Sequence, residues 1–164
     1  MDILLTKLTN DRHRLEIVRR DGSREASTLE TRSYLLHDLL HLAVETEAGL
    51  AGGFWGLLSR GRTLVEMNDR TGQTMGDAST ELLAVEQIVG VLTAAAKGAP
   101  PADVLAALHD WTEAEGRTLP AWLDESFITR AQARLRAFMG HWRATANGQT
   151  MRMRWSEDPT EGPF

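Results

Sequence analysis

The sequence contains no cysteine among its 164 residues. This absence excludes disulfide bonds, thiolate nucleophiles and cysteine-ligated zinc, and it is compatible with a reducing compartment. No apolar run approaches the roughly 20 residues that a membrane-spanning helix needs, because charged residues or glycines interrupt every one. The segment from Met1 to Lys7 also lacks the charged and then apolar pattern of a signal peptide. We therefore expect a cytoplasmic protein with no membrane partner.

Positive charge is also scarce, since 18 Lys and Arg residues stand against 23 Asp and Glu, which gives a net charge of -5. A nucleic-acid-binding surface needs a cationic surplus or at least a basic stripe, so we expect no nucleic-acid partner. The hydrophobic fraction of 42% and the charged fraction of 25% are typical of a folded domain. The length favours one domain, which we place at residues 1–155, followed by a loose acidic tail at 156–164.

Short alternating segments near both ends of the chain predict β-strands. Three of them lie in the first 30 residues and are separated by a polar turn and by Asp21-Gly22, a pair typical of a tight hairpin: residues 3–8, 14–19 and 25–29. They predict a three-stranded antiparallel meander. Near the other end, Met151, Met153 and Trp155 alternate with two arginines, which predicts a strand that joins the edge of this sheet.

Between these strands, apolar residues recur at helical spacing in several segments. We expect a helix from Thr31 or Ser33 to about Ala48, ended by Gly49, and later helices at residues 54–59, 80–97, 102–115 and 118–147. The stretch 60–77 is polar and contains several glycines, and it is expected to be a flexible loop or lid. Strands segregated from helices are typical of an α+β fold, here a small antiparallel meander with a C-terminal strand, packed on a bundle of about four to five helices.

The glycine-rich segment and one pair of arginines predict structural roles and no binding site. The glycine-rich segment from Gly49 to Gly56 matches neither the nucleotide P-loop nor the dinucleotide fingerprint, so it predicts the close packing of a bend. Arg130 and Arg134 lie four residues apart on a predicted helix with no matching stripe, and we expect them on the surface.

The strongest chemical signal is the segment His37-Asp38-Leu-Leu-His41 on the first predicted helix. Side chains four residues apart meet on a helix surface, so His37 and His41 could bind one metal ion. Asp38 could orient a bound water or act as a base, and Glu45 could hold the second nitrogen of His41 from outside the ligand shell. Glu45 lies two turns from His37, too far along the axis to complete one tetrahedral site with both histidines.

A third metal ligand must therefore come from elsewhere in the chain. The candidates are His109, His141, Glu81 and Glu86, and the sequence does not rank them. A divalent ion such as zinc is the cofactor that suits two histidines and one further protein ligand. The alternative is that both histidines pair with neighbouring carboxylates, as polar residues beside an apolar helix face commonly do.

The five-residue segment resembles the H-D-x-x-H zinc motif of the ubiquinone-biosynthesis family that includes the coenzyme Q assembly protein. The resemblance implies that such a helix can bind zinc through His37 and His41. In that family an acidic ligand follows twelve residues after the second histidine, whereas this chain has Gly53 there, and the family fold is mostly helical. The segment is also similar to the H-E-x-x-H of metalloproteases, but the shorter Asp38 replaces the glutamate base, which disfavours peptidase activity.

Two functional hypotheses follow, and they leave open whether the chain is an enzyme. In the first, it is a non-catalytic interaction module whose five tryptophans belong to a core or to the buried centre of a homo-oligomer interface. In the second, it is a metal-binding protein, or a hydrolase or lyase of small molecules, with His37 and His41 as ligands and Asp38 as the catalytic group. The sequence favours the interaction module, because it offers neither a nucleophile nor a complete ligand set.

Overall fold

The computed structural model describes residues 1–67, 80–95 and 98–158. Its four strands are β1 (Asp2–Lys7), β2 (Arg12–Val18), β3 (Arg24–Glu30) and β4 (Thr150–Arg154). They form one antiparallel sheet in the order β3-β2-β1-β4. The predicted meander, its C-terminal edge strand and the α+β fold class are confirmed.

Six helices lie within the described residues: α1 (Thr31–Ala48), α2 (Phe54–Ser59), α3 (Leu64–Met67), α4 (Thr80–Ala95), α5 (Pro101–Ala114) and α6 (Glu125–Ala144). The expected number was about four to five, and α3 lies in the stretch that was expected to be a loop. Thr63 and Glu66 explain this helix, because each side chain accepts a hydrogen bond from the backbone N–H of the other, the reciprocal pattern that starts a helix. The rest of that stretch, from residue 68 to residue 77, lies outside the described residues.

Helix α1 is the centre of the fold and packs against α6, α4, α2 and β3. Ten of its 18 residues are buried, and it ends at Gly49, whose φ of 64° is the left-handed conformation that favours glycine. Its apolar side chains meet the buried face of β1 and β2, where the alternating residues have almost no exposed surface: Ile3, Leu5, Leu15 and Ile17. Asp38, His41 and Glu45 of α1 therefore lie inside the molecule, whereas His37 borders its surface.

Helix α6 is shorter at both ends than the expected range of 118–147. The side chain of Asp124 accepts a hydrogen bond from the backbone N–H of Phe127, and this cap starts the helix at Glu125. Before it, the N–H of Leu123 donates to the carbonyl of Pro120, so the proline opens a turn. At the other end, the N–H of Gly148 donates to the carbonyl of Lys7 and aligns the chain with β1 before β4 begins.

Arg130 lies at the surface as expected, whereas Arg134 is only 15% exposed, and Glu47 of α1 binds both. Nε of Arg130 lies 3.1 Å from Oε2 of Glu47, and Nη2 of Arg134 lies 2.6 Å from Oε1. The acidic partner comes from another helix, so no stripe on α6 could reveal it. These ion pairs join the C-terminal half of α1 to α6.

Two further expectations concern membrane-spanning helices and the acidic tail. No helix in the described part of the chain is long and apolar enough to cross a membrane. Of the expected acidic tail, residues 156–158 are described and Ser156 is buried, whereas residues 159–164 lie outside the described part.

Candidate metal centre

The tertiary structure brings Glu86 of α4 to the two histidines of α1. One ligand atom from each of His37, His41 and Glu86 lies within 4.8 Å of the other two. Nε2 of His41 is 3.4 Å from Oε1 of Glu86, and Nε2 of His37 is 3.8 Å from Oε2 of the same carboxylate. The carboxylate therefore faces both imidazoles, with one oxygen directed at each ring.

The two imidazoles are close because His37 and His41 lie one helical turn apart on α1. Their ring centroids are 4.6 Å apart and the ring planes are tilted by 56°. This separation is what side chains four residues apart on a helix surface allow. The predicted convergence of the two side chains is thus present in the structure, and α4 adds the third group.

The group lies at the edge of the core rather than at its centre. The side chain of His41 is 1% exposed, whereas those of His37 and Glu86 are 45% and 40% exposed. His41 therefore forms the inner wall, and the other two side chains border solvent. A small molecule or ion can reach the group from the side of His37 and Glu86.

Nε2 of His41 is a buried polar atom that makes no hydrogen bond in the described structure. Glu86 is within ion-pair distance, but no hydrogen bond joins the two side chains. Most buried polar atoms in proteins have a hydrogen-bond partner, so an exception needs a reason. A ligand to an ion is one such reason, because the free lone pair of a neutral imidazole is what a metal binds.

The other ring nitrogen of His41 is held by Glu45. Nδ1 lies 3.1 Å from Oε1 of Glu45, whose side chain has no exposed surface. Oε2 of the same carboxylate accepts hydrogen bonds from the backbone N–H groups of Trp55, at 2.8 Å, and Gly56, at 3.3 Å. Glu45 thus contacts the ring nitrogen that faces away from Glu86, the position expected of a residue outside the ligand shell.

The pKa of each residue in this group depends on burial and on its charged neighbours. Burial by itself would lower the pKa of His41, but the carboxylates of Glu45 and Glu86 raise it to about 9. Burial would raise the pKa of Glu86, yet His41 and His37 together hold it below its usual range. Burial raises the pKa of Glu45. Metal-free His41 therefore carries a proton that a metal ion has to displace.

Asp38 lies on the far side of His37 from Glu86. Its Oδ1 is 3.7 Å from Nδ1 of His37, and its backbone carbonyl accepts a hydrogen bond from Nε1 of Trp55. The side chain is almost fully buried. This position suits a residue that orients the His37 ring, and the role of Asp38 as a base stays a prediction.

Of the four candidates for the third ligand, Glu86 is the one that the described structure places beside His37 and His41. His109 lies exposed on α5 and His141 lies near the end of α6, while the side chain of Glu81 is outside the described residues. A signal for Glu86 was present in the sequence. It lies in the middle of a largely apolar helix, next to Val85 and three residues before Val89, a place where a carboxylate is uncommon.

Comparisons of the chain with protein-family models, with curated proteins and with solved structures found no match. The resemblance to the ubiquinone-biosynthesis motif stays a prediction that rests on His37, Asp38 and His41. The structure supplies an acidic group at this place from Glu86, not from the position of Gly53. The geometry of the side chains is therefore the basis for any functional proposal.

Proposed function

We propose that this chain binds a divalent metal ion of the zinc class through the imidazoles of His37 and His41 and the carboxylate of Glu86. The observation that carries the proposal is the convergence of these three side chains around the buried Nε2 of His41, which has no hydrogen-bond partner. Two imidazoles and one carboxylate are ordinary zinc ligands. Glu45 supports the proposal, because metal-binding histidines commonly donate their other N–H to a carboxylate.

The distances fit an ion of this size. Zinc–ligand bonds of about 2.0–2.1 Å in tetrahedral geometry place two ligand atoms about 3.3 Å apart. The separation between Nε2 of His41 and Oε1 of Glu86 is 3.4 Å, close to that value. Nε2 of His37 is 3.8 Å from Oε2, and this half-exposed ring can approach through a small rotation. The three ligand atoms lie within 4.8 Å of one another, so in this proposal the two exposed side chains close on the buried ligand when an ion binds.

The number of ligands supports hydrolase or lyase activity on a small molecule. Within the described residues the group has three members, and two of them border solvent. Three protein ligands leave one position of a tetrahedral ion to water, the arrangement of catalytic rather than structural zinc sites. A zinc ion lowers the pKa of such a water to about 7, which provides hydroxide near neutral pH. In this proposal Asp38 orients His37, as its contact with Nδ1 suggests.

Metal analysis of the full chain without a polyhistidine tag tests the proposal. We expect close to one equivalent of zinc per chain after dialysis, and saturable binding in calorimetric titrations of metal-free protein. His41→Ala should abolish this binding, whereas His109→Ala, which removes an exposed histidine on α5, should not change it. Folded wild-type protein that takes up no zinc, or His41→Ala protein that binds zinc like the wild type, would refute the metal site.

The interaction module is the alternative proposal, and one observation favours it. The distances from Glu86 to His37 and His41 also suit ion pairs, and the raised pKa of His41 allows a charged imidazolium between Glu45 and Glu86. The cluster would then be a structural network with no ion. This alternative predicts no zinc binding and a defined oligomer in analytical ultracentrifugation that His37→Ala leaves intact.

A further inference from the structure

The carboxylate of Glu45 is fixed from two sides. Oε1 lies against Nδ1 of His41, and Oε2 accepts hydrogen bonds from the backbone N–H groups of Trp55 and Gly56. Because a backbone N–H can only donate, Oε2 has to act as an acceptor in this arrangement. The first turn of α2 therefore decides where the carboxylate lies, and the carboxylate in turn decides where the His41 ring lies.

Gly53 is the residue that makes room for this carboxylate. A Cβ atom at position 53 would lie 2.5 Å from Cδ and 2.7 Å from Oε2 of Glu45, closer than real Cβ contacts. The φ of Gly53 is -78°, a value that any residue adopts, so the backbone conformation does not require glycine here. Space for Glu45 is what requires it. At Gly53 the backbone is thus shaped around one functional side chain.

We propose that the bend at Gly53 to Gly56 is part of the metal site, because it fixes Glu45 so that the His41 proton stays on Nδ1 and Nε2 is left to bind the ion. The inference rests on the proposed metal site and extends it to residues that carry no ligand atom. Glu45 and Gly53 are positioning residues, since Glu45 contacts the ring nitrogen remote from Glu86 and Gly53 leaves the space that the Glu45 carboxylate occupies. An imidazole bound in this way is oriented and is a more basic ligand.

A glutamine at position 45 would reverse the proton position. Its amide oxygen has to face the N–H groups of Trp55 and Gly56, because the opposite orientation sets donors against donors. The NH₂ group then faces Nδ1 of His41 and can only donate to it. Nδ1 becomes the acceptor, the ring proton moves to Nε2, and the lone pair that would bind the ion is lost.

The experiment measures zinc affinity by calorimetry and the proton position by the ¹⁵N chemical shifts of His41, both in the full chain. In zinc-loaded wild-type protein we expect a protonated Nδ1 and a metal-bound Nε2. Glu45→Gln and Gly53→Ala should each weaken zinc binding by roughly 10- to 100-fold, the usual cost of losing a partner outside the ligand shell. If Glu45 and Gly53 had only a structural role, their variants would be less stable, but the His41 proton would stay on Nδ1.

Matched controls separate this effect from general damage. Glu47→Gln changes a mostly buried glutamate of the same helix that binds arginines of α6 instead of a histidine. Gly140→Ala adds a methyl group to a helical glycine with no neighbouring atom within 4 Å. Both controls should keep the zinc affinity of the wild type within about twofold, which is about 0.4 kcal/mol.

Several outcomes would overturn the inference. One is a folded Glu45→Gln or Gly53→Ala protein that binds zinc as tightly as the wild type, and another is a wild-type His41 that binds zinc through Nδ1. If the variants do not fold, the wild-type shifts still decide. If the wild type binds no zinc, the proposed function fails, but the ¹⁵N shifts of the neutral His41 ring in metal-free protein still test the proton position that the contact between Glu45 and Nδ1 predicts. A proton on Nδ1 supports the inference there, and a proton on Nε2 refutes it.

Discussion

Nε2 of His41 on α1 lies 3.4 Å from Oε1 of Glu86 on α4, although two other helices separate α1 from α4 along the chain. One partner is almost fully buried and the other borders solvent, so the contact joins the core to the surface. The proposed metal site depends on this relationship, because α1 alone provides two ligands and no third. The predictions below test the contact, its protonation and the packing that creates it.

Glu86→Gln should weaken zinc binding by at least the roughly 10- to 100-fold that the loss of an outer partner costs, because it removes a charged ligand. The free energy of unfolding of the metal-free protein should change by about 1 kcal/mol or less, since Glu86 is 40% exposed and its ion pairs are partly screened. Calorimetric zinc titration and urea unfolding measure the two effects. Glu113→Gln, at an exposed position on α5, is the control, and equal zinc affinity in both variants would contradict the prediction.

The free energy of unfolding of metal-free protein should fall as the pH rises from 6.5 to about 9. The folded pKa of His41 is raised from 6.5 to about 9, so its stabilisation is complete below pH 6.5 and is lost as the pH passes the folded value. The groups that face its ring are His37 and Glu45 on α1 and Glu86 on α4, and the total effect is on the order of a few kcal/mol. Urea unfolding across this pH range measures it.

His41→Gln removes the titrating group and should flatten this dependence on pH. Zinc affinity should change in the opposite sense and increase with pH over the same interval, because the ion competes with the His41 proton. An unfolding free energy that is constant or increases between pH 6.5 and 9 in the wild type would contradict the assigned protonation.

Arg134→Ala should lower the free energy of unfolding more than Arg130→Ala does. Arg134 is 15% exposed and donates twice to Oε1 of Glu47, whereas Arg130 is 53% exposed and makes one such contact. We expect a loss of about 1–2 kcal/mol for Arg134→Ala and under about 1 kcal/mol for Arg130→Ala. Chemical denaturation of the two variants checks the order, and equal losses would show that burial does not determine the strength of these pairs.

Asp124→Ala should cost about 1 kcal/mol of stability, because it removes the acceptor that caps α6. Asp124→Asn should retain most of that stability, since an asparagine oxygen can accept the same hydrogen bond from the N–H of Phe127. Thermal unfolding compares the two variants. An equal loss in both would indicate that α6 does not begin at this cap.

Much of the fold could be predicted because it depends on local patterns. The Asp21-Gly22 hairpin, the alternating strands and the Gly49 end of α1 each follow from a few neighbouring residues. The start of α6 could not be placed in this way, since Pro120, four residues after Gly116, suits either a first helical turn or an independent turn. The packing of Leu123 and Phe127 in the core favours the second arrangement.

The candidate site, too, could be predicted from the sequence only in part. The helical spacing of His37, His41 and Glu45 is a property of α1, so sequence alone indicates that two imidazoles converge and that a carboxylate can reach the second ring. The choice of Glu86 depends on how α4 packs against α1, and the role of Gly53 depends on how the bend closes on Glu45. Neither relationship has a fixed separation along the chain that a motif could encode.

The sequence by itself therefore determined the elements of this protein and the polar residues along one side of its central helix, because both arise from contacts between residues a few positions apart. Only the tertiary structure decided that His41 and Glu45 are buried, that α4 brings the histidines a carboxylate and that the backbone N–H groups of α2 hold Glu45 against His41. The physical reason is that helix packing is governed by the burial of apolar surface on every side of α1 at once. The positions of the few polar groups inside that core follow from how all its neighbours fit together.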